Sequence, residues 1–202
     1  VAGRIFGGIE AEHADRTHAD GERDLKKLDG MVRKGLERLY DFQHQDGGWG
    51  WWKDGESDHW MTAYVVWGLG LARDAGIGIR GGVLERAIEF LDRELVEEEE
   101  RPDAQAWMLH ALASASKRGS ATRFQAAALD NLWKQRDRLN AYSKALLALS
   151  AHHLGDEERA RVLVRNLENG VKRDETPDTS VIVRGAQRSS DAVIGTAHWG
   201  EA

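Results

Sequence analysis

The 202-residue chain contains no cysteine and only two prolines. Without cysteine it can form neither a disulfide bond nor a cysteine-ligated zinc site, and it has no cysteine nucleophile. Proline is the strongest helix breaker, and its scarcity beside many Ala, Leu, Glu and Arg residues favours helices through the middle of the chain. The composition therefore predicts an all-α fold.

Long apolar runs and an excess of basic residues are also missing. The formal net charge is −6, so the chain lacks the positive footprint that a phosphate backbone requires. No apolar stretch approaches the ~20 residues of a membrane-spanning helix. We expect neither nucleic-acid binding nor a membrane span. The start at Val1, without an initiator Met or a secretory apolar region, suggests a piece of a longer protein.

Apolar residues recur at three- and four-residue steps from Leu25 onward, which is the spacing of one helix face. The pattern predicts helices over residues 25–43, 59–75, 83–97, 102–117, 122–135, 139–154 and 156–169. Asp58 is placed to cap the second of them. Three segments follow from this pattern: an irregular leader at residues 1–23, helical hairpins at 24–170, and an extended or hairpin segment at 171–202.

Similar helices recur along the chain. The pairs Ala63-Tyr64, Ala106-Trp107 and Ala141-Tyr142 are offset by 43 and then 35 residues. This interval fits a pair of helices and is too long for a coiled-coil heptad. Successive α-hairpins should therefore stack into an array or a ring.

The most specific local motif is Gln43-x-x-x-Gly47-x-Trp49. It resembles the QW-type repeat of terpene cyclases, in which a Trp lies over a helix end and a Gln amide bonds exposed backbone groups. That role is structural. The alternative is that Trp49, Trp51 and Trp52 form an exposed platform for a sugar or a peptide.

A longer match begins at Val32 and continues into Trp60-Met-Thr-Ala-Tyr-Val-Val. A helix that passes through a glycine- and aromatic-rich turn into this second helix resembles the thioester domain of the α2-macroglobulin/complement family, in its bacterial form. The resemblance implies an incomplete, terpenoid-cyclase-like α/α toroid. It assigns a structural, non-catalytic motif to Gln43, Gly47, Trp49, Trp60, Thr62, Ala63 and Tyr64.

The family implies a large secreted or periplasmic protease inhibitor, in which a protease cuts a bait segment and a buried Cys–Gln thioester becomes exposed. The partners implied are proteases, met by the full-length parent, and the other domains of that parent. The Cys-x-Glu-Gln motif has no match in this chain. The motif either lies upstream of Val1 or is missing from this copy. We expect no enzymatic activity, cofactor or metal.

Two other functions stay open at this point. A toroid enzyme of the terpene-cyclase type fits the Gln43–Trp49 repeat, but the chain has no Asp-x-Asp-Asp motif and no Asp, Cys and His set for zinc. A helical-hairpin interaction module fits the 35- to 43-residue recurrence.

The histidines and the acidic run have functional and ordinary interpretations. His59 beside Asp58 and Glu56 could form a metal site or an acid/base pair, but a solvated helix start is the favoured interpretation. His110 is expected to be a partly buried side chain with its hydrogen bonds satisfied. The acidic run Glu97–Glu100 is expected to be solvated. We assign no catalytic role to His152, His153 or His198.

Overall fold

A computed structural model of the chain describes residues 26–173 and 197–199, and the side chains of residues 26–170. The chain divides into two compact units, Val1–Gln43 and His44–Ala202. In the first unit, helix α1 spans residues 26–41 and is followed by a turn. The predicted leader, residues 1–23, lies outside the described residues.

The second unit contains six further α-helices in its described part. They are α2 His59–Asp74, α3 Val83–Glu94, α4 Pro102–Ala115, α5 Arg123–Lys134, α6 Ala141–His153 and α7 Glu157–Gly170, with a short 3₁₀ turn at Arg136–Arg138. Each lies within about three residues of its predicted position.

These six helices form three consecutive hairpins, α2/α3, α4/α5 and α6/α7. The first helices of the hairpins pack against one another in the order α2, α4, α6, and each second helix packs on its own first helix. Helix α4 lies between α2 and α6, and eleven of its fourteen residues are buried. The core of this unit therefore runs along α4, and the predicted stacking of hairpins is observed.

Side-chain caps define where several of these helices begin. The Asp58 carboxylate accepts the Met61 N–H at 2.9 Å, as predicted, and Thr122 and Asn140 cap α5 and α6 in the same way. Each cap satisfies an N–H group that has no partner within its helix. These caps define the starts of α2, α5 and α6, whereas α3 and α4 begin without a side-chain cap.

Polar side chains also tie the hairpins together. The Ser143 hydroxyl of α6 donates to Asp103 at 2.6 Å, and the Gln105 amide of α4 donates to the Leu95 carbonyl at 3.0 Å. The Gln125 amide of α5 donates to Asp92 of α3 at 3.0 Å. These bonds position adjacent hairpins along the stack.

Two short strands follow the helices. Strand β1, Val171–Arg173, pairs antiparallel with β2, Ala197–Trp199, with Val171 opposite Trp199. The predicted extended or hairpin segment covers residues 171–202, of which the structure describes only these two strands. The β-branched runs at 179–183 and 192–195, which suggested it, lie outside the described residues.

Candidate functional site

The glycine- and tryptophan-rich loop at residues 44–58 is held by a network centred on His44. The His44 ring contacts Ser57 Oγ through Nδ1 and the Trp52 carbonyl through Nε2, both at 2.9 Å. The Ser57 hydroxyl donates to Asp46 at 2.8 Å, and the same carboxylate oxygen accepts the Gly48 N–H. One imidazole therefore fixes both branches of the loop.

Two glycines of the loop allow the backbone to fold closely on itself. A Cβ atom at Gly50 would lie 2.1 Å from the Glu56 carbonyl oxygen, which is far inside van der Waals contact. Gly47 has a φ of +100°, and a Cβ there would lie 2.5 Å from the Arg86 carbonyl oxygen. The loop conformation requires glycine at both positions.

Trp49 anchors the loop in the core. The residue is 3% exposed, its backbone N–H donates to Thr62 Oγ1 at 2.9 Å, and the Thr62 hydroxyl donates back to the Trp49 carbonyl at 3.1 Å. That carbonyl also accepts the Asp58 N–H at 2.8 Å. The loop is thereby attached to the first turn of α2, where Thr62 and Ala63 are fully buried.

Trp107 of α4 is the centre of an aromatic cluster. Trp60 stacks on it with 6.2 Å between ring centroids, and Tyr64 lies tilted against it at 4.7 Å. The Trp107 N–H points to the Trp60 carbonyl at 3.4 Å. Trp107 is buried, whereas Trp60 and Tyr64 are 40% and 57% exposed. These two rings cover α4 on one side and face solvent on the other.

The three tryptophans of the loop have different environments. Trp49 is buried, while Trp51 and Trp52 are 74% and 78% exposed. The proposed aromatic platform can therefore contain only Trp51 and Trp52. Large exposed side chains on a well-braced loop are suited to contacting another surface.

His59 is the first residue of α2, but its side chain is only 23% exposed. Its Nδ1 lies 2.6 Å from Glu98 Oε1, and its Nε2 lies 3.7 Å from Glu94. The carboxylates near His59 are therefore those of Glu94 in α3 and of Glu98 in the turn that follows. They are not those of Asp58 and Glu56, which the sequence suggested. Glu98 is 1% exposed and also binds Arg101. The prediction that residues Glu97–Glu100 are all solvated is wrong for Glu98.

The reason is the position of Glu98 relative to the end of α3. The helix ends at Glu94, and a series of turns over residues 95–100 places Leu95 and Glu98 inward, three residues apart. The Glu98 Oε2 atom has no hydrogen-bond partner among the described residues. The apolar Leu95 in an otherwise acidic run was the available sequence signal.

His110 is more buried than expected, at 7% exposed, and its Nδ1 atom has no hydrogen-bond partner in the described part of the chain. The expectation of a satisfied side chain is wrong for this atom. Burial, followed by the neighbouring His153, lowers the pKa of His110 to about 4. His110 is therefore neutral at pH 7.

His152 and His153 lie at the end of α6. The His153 ring is 6.2 Å from that of His110 and 5.9 Å from that of His152. His198 lies in β2. Within the described residues, no group of His, Cys, Asp or Glu side chains could hold a metal ion.

An apolar groove of about 400 Å³ lies between α6 and α7. Its walls include Leu149 of α6 and Val164 of α7, which are both nearly half exposed. Arg161 and Arg165 stand along one edge. No described helix is long and apolar enough to cross a membrane.

Comparison with known proteins connects this arrangement to one family. Residues 15–98 match the family model of the A-macroglobulin TED domain. A 68-residue stretch is 46% identical to α2-macroglobulin of Thermotoga maritima, covering 34% of this chain and 4% of that protein. The chain resembles the thioester domain of the α2-macroglobulins.

Solved structures establish the same fold. Native α2-macroglobulin from Escherichia coli, spanning domain MG7 to the C-terminus, matches with a TM-score of 0.61 and 24% identity, covering 74% of this chain and 25% of that one. Salmonella α2-macroglobulin reacted with methylamine matches with a TM-score of 0.61 and 22% identity, covering 75% of this chain and 10% of that one. The fold is a partial α/α toroid, and the chain spans only a small part of these relatives.

Proposed function

We propose that this chain is a scaffold region of an α2-macroglobulin-like protease inhibitor and has no catalytic activity of its own. The observation that carries the proposal is the 46% identity over 68 residues to the Thermotoga maritima protein. The match to the A-macroglobulin TED domain over residues 15–98 agrees with it. By this resemblance the parent protein acts outside the cell or in the periplasm, where it meets proteases.

The contacts of the motif residues support a structural role for them. Trp49 and Thr62 bond each other in the core, and Gly47 lies against the backbone of Arg86 in α3. Trp60 and Tyr64 cover Trp107. We propose that Gln43, Gly47, Trp49, Trp60, Thr62, Ala63 and Tyr64 hold the first hairpin in shape and do not act on a substrate.

We further propose that the division into a leader at 1–23, a helical region at 24–170 and an extended segment at 171–202 corresponds to the organisation of this part of the parent. The helical region supplies one wall of the toroid, against which other domains of the parent lie. The exposed pair Trp51 and Trp52 belongs to the surface available for such contacts.

A protease-entrapment assay on the full-length parent tests the proposed function. An entrapped protease keeps its activity on small peptide substrates, because these diffuse to its active site, but loses activity on large protein substrates. We expect the parent to produce this difference. Unchanged activity of the protease on both substrate classes would contradict the proposal.

A matched pair of variants links that activity to this chain. Trp49→Ala in the parent removes the buried anchor of the loop, and we expect loss of entrapment. Trp51→Ala changes a neighbouring tryptophan that is 74% exposed, and the helical region should remain folded. Full entrapment by Trp49→Ala would show that this region does not contribute.

Methylamine treatment distinguishes a covalent inhibitor from a purely physical one. This chain has no cysteine, so its mass should not change on treatment. If the parent carries a Cys-x-Glu-Gln thioester, the methylamine nitrogen will attack the thioester carbonyl, form an N-methyl amide on the glutamine side chain and release the cysteine thiol, so the mass rises by one methylamine. A parent with no mass change but with entrapment would be a physical trap.

A further inference from the structure

Three histidines form a row that crosses from the surface into the core. His152 is exposed at the end of α6, His153 follows it, and His110 of α4 lies at the inner end. Successive ring centroids are 5.9 and 6.2 Å apart. The row therefore spans the contact between the second and third hairpins.

Protonation of His110, at the inner end of the row, is unfavourable. His110 Nδ1 is buried and has no hydrogen-bond partner among the described residues, and the other neighbouring ring is Trp107, at 6.1 Å. A protonated imidazole has an N–H donor on each ring nitrogen. The donor at His110 Nδ1 would have no acceptor among the described residues. Burying such an unpaired charge is strongly unfavourable.

The charged groups around the row do not offset this cost. Burial lowers the pKa of His153, and the electrostatic effects of His152 and then of Arg118, from the turn after α4, lower it further. The Glu157 carboxylate of α7 lies at the outer end, where it accepts Arg118 Nη2 at 2.7 Å and lies 3.2 Å from His152. Its negative charge is therefore engaged at the surface, away from His110.

We propose that the row His110, His153 and His152 is an acid-sensitive joint, whose protonation releases the third hairpin from α4 while the first hairpin stays in place. The closed joint contains neutral imidazoles at its inner end. At acidic pH, positive charge develops on adjacent rings across the α4–α6 contact. Separation of the two helices is then favoured because it lets water solvate the protonated rings. The inference is independent of protease inhibition.

The direction of the pH effect follows from the lowered pKa. His110 in the closed joint has a pKa of about 4, against 6.5 for an unperturbed histidine. The open state therefore binds the proton more readily, and closure weakens as the pH falls from about 6.5 to about 4. Above that window the joint has its full stability.

Hydrogen exchange of a single backbone amide shows whether the joint is open. The Gly119 N–H, in the turn between α4 and α5, donates to the His153 carbonyl at 2.9 Å, so it becomes accessible when α6 moves away. The Asp58 N–H, which donates to the Trp49 carbonyl, reports the first hairpin. Residue-resolved hydrogen exchange on the 202-residue chain, corrected for the intrinsic effect of pH, measures both.

We expect the protection of Gly119 to fall by about a hundredfold between about pH 7 and about pH 4, since each unit of pKa difference gives a tenfold change. Protection of Asp58 should stay within about threefold. In His110→Gln, which cannot take up a proton at the inner position, Gly119 should lose much less protection than in the wild type, and the remaining loss should come from His153, whose pKa burial also lowers. His152→Gln is the matched control at the exposed end and should keep most of the wild-type pH response.

Three results would overturn the proposal: a flat Gly119 profile in the wild type, an unchanged profile in His110→Gln, or parallel loss at Asp58, which would mean global unfolding. If His110→Gln does not fold, an NMR titration of the His110 ring in the wild type decides. A midpoint near that of a free histidine contradicts a neutral buried ring, and a midpoint near 4 supports it.

Discussion

Trp49 and Thr62 exchange two hydrogen bonds across the junction of the loop and α2. The Trp49 N–H donates to the threonine oxygen, and the threonine hydroxyl donates to the Trp49 carbonyl. Both residues are buried, so water cannot readily replace the Thr62 hydroxyl as the hydrogen-bond partner of the Trp49 backbone. One hydroxyl thereby satisfies the backbone of a large anchoring residue.

Replacing Thr62 with Val should lower the free energy of unfolding by about 1 to 3 kcal/mol, because it removes both bonds and leaves a buried N–H unpaired. Thr62→Ser keeps the hydroxyl and should recover most of the loss. Urea unfolding followed by circular dichroism measures the difference. Equal stability of the Val and Ser variants would show that the exchanged bonds contribute little.

Gly50→Ala should destabilise the protein by about 1 to 3 kcal/mol, since the new Cβ meets a backbone carbonyl that cannot move without opening the loop. Gly55→Ala is the matched control in the same loop, because its Cβ would lie at an ordinary 3.5 Å from Trp52. We expect the control to stay within about 0.5 kcal/mol of wild type. Thermal unfolding of the two variants measures the difference in stability. A Gly55→Ala variant less stable than Gly50→Ala would contradict the loop geometry.

The buried and exposed tryptophans should respond very differently to truncation. Trp49→Ala is expected to cost about 3 to 5 kcal/mol, the usual range for a large aromatic removed from a core. Trp51→Ala and Trp52→Ala should change stability by no more than about 0.5 kcal/mol. Chemical unfolding curves provide the comparison. A large loss at Trp52 would mean that its ring is packed in the protein in solution.

The His59 and Glu98 pair is expected to show strong coupling. Because Glu98 is buried and His59 is one of its two side-chain partners, a double-mutant cycle with His59→Asn and Glu98→Gln should give a coupling energy of about 1 to 3 kcal/mol. The exposed pair Asp29 and Arg33 of α1 serves as the control and should give less than about 0.5 kcal/mol. Similar coupling energies in the two cycles would argue that the burial of Glu98 is unimportant.

The sequence predicted the helices well because their signals are local. The spacing of apolar residues located each helix, and Asp58 acts as the cap that its position indicated. The recurrence of similar helices predicted the stacked hairpins. The three hairpins formed by α2 to α7 could therefore be predicted before any distance was known.

The site was predicted less completely because its contacts join distant parts of the chain. His59 and Glu98 are 39 residues apart, and the pairing depends on α3 ending at Glu94, a boundary that periodicity placed three residues later. The burial of His110 depends on α6 lying against α4. Neither relationship has a signature in the residues next to the histidine.

The central position of α4 also constrains how the protein is made. Because α4 is buried between an earlier and a later helix, a chain emerging from the ribosome can cover only its α2 side at first. The other side, which includes the surface later covered by α6, stays exposed to water and to chaperones until the third hairpin is synthesised. A chain that lacks the third hairpin therefore exposes apolar surface on α4, and we expect such a truncated chain to aggregate.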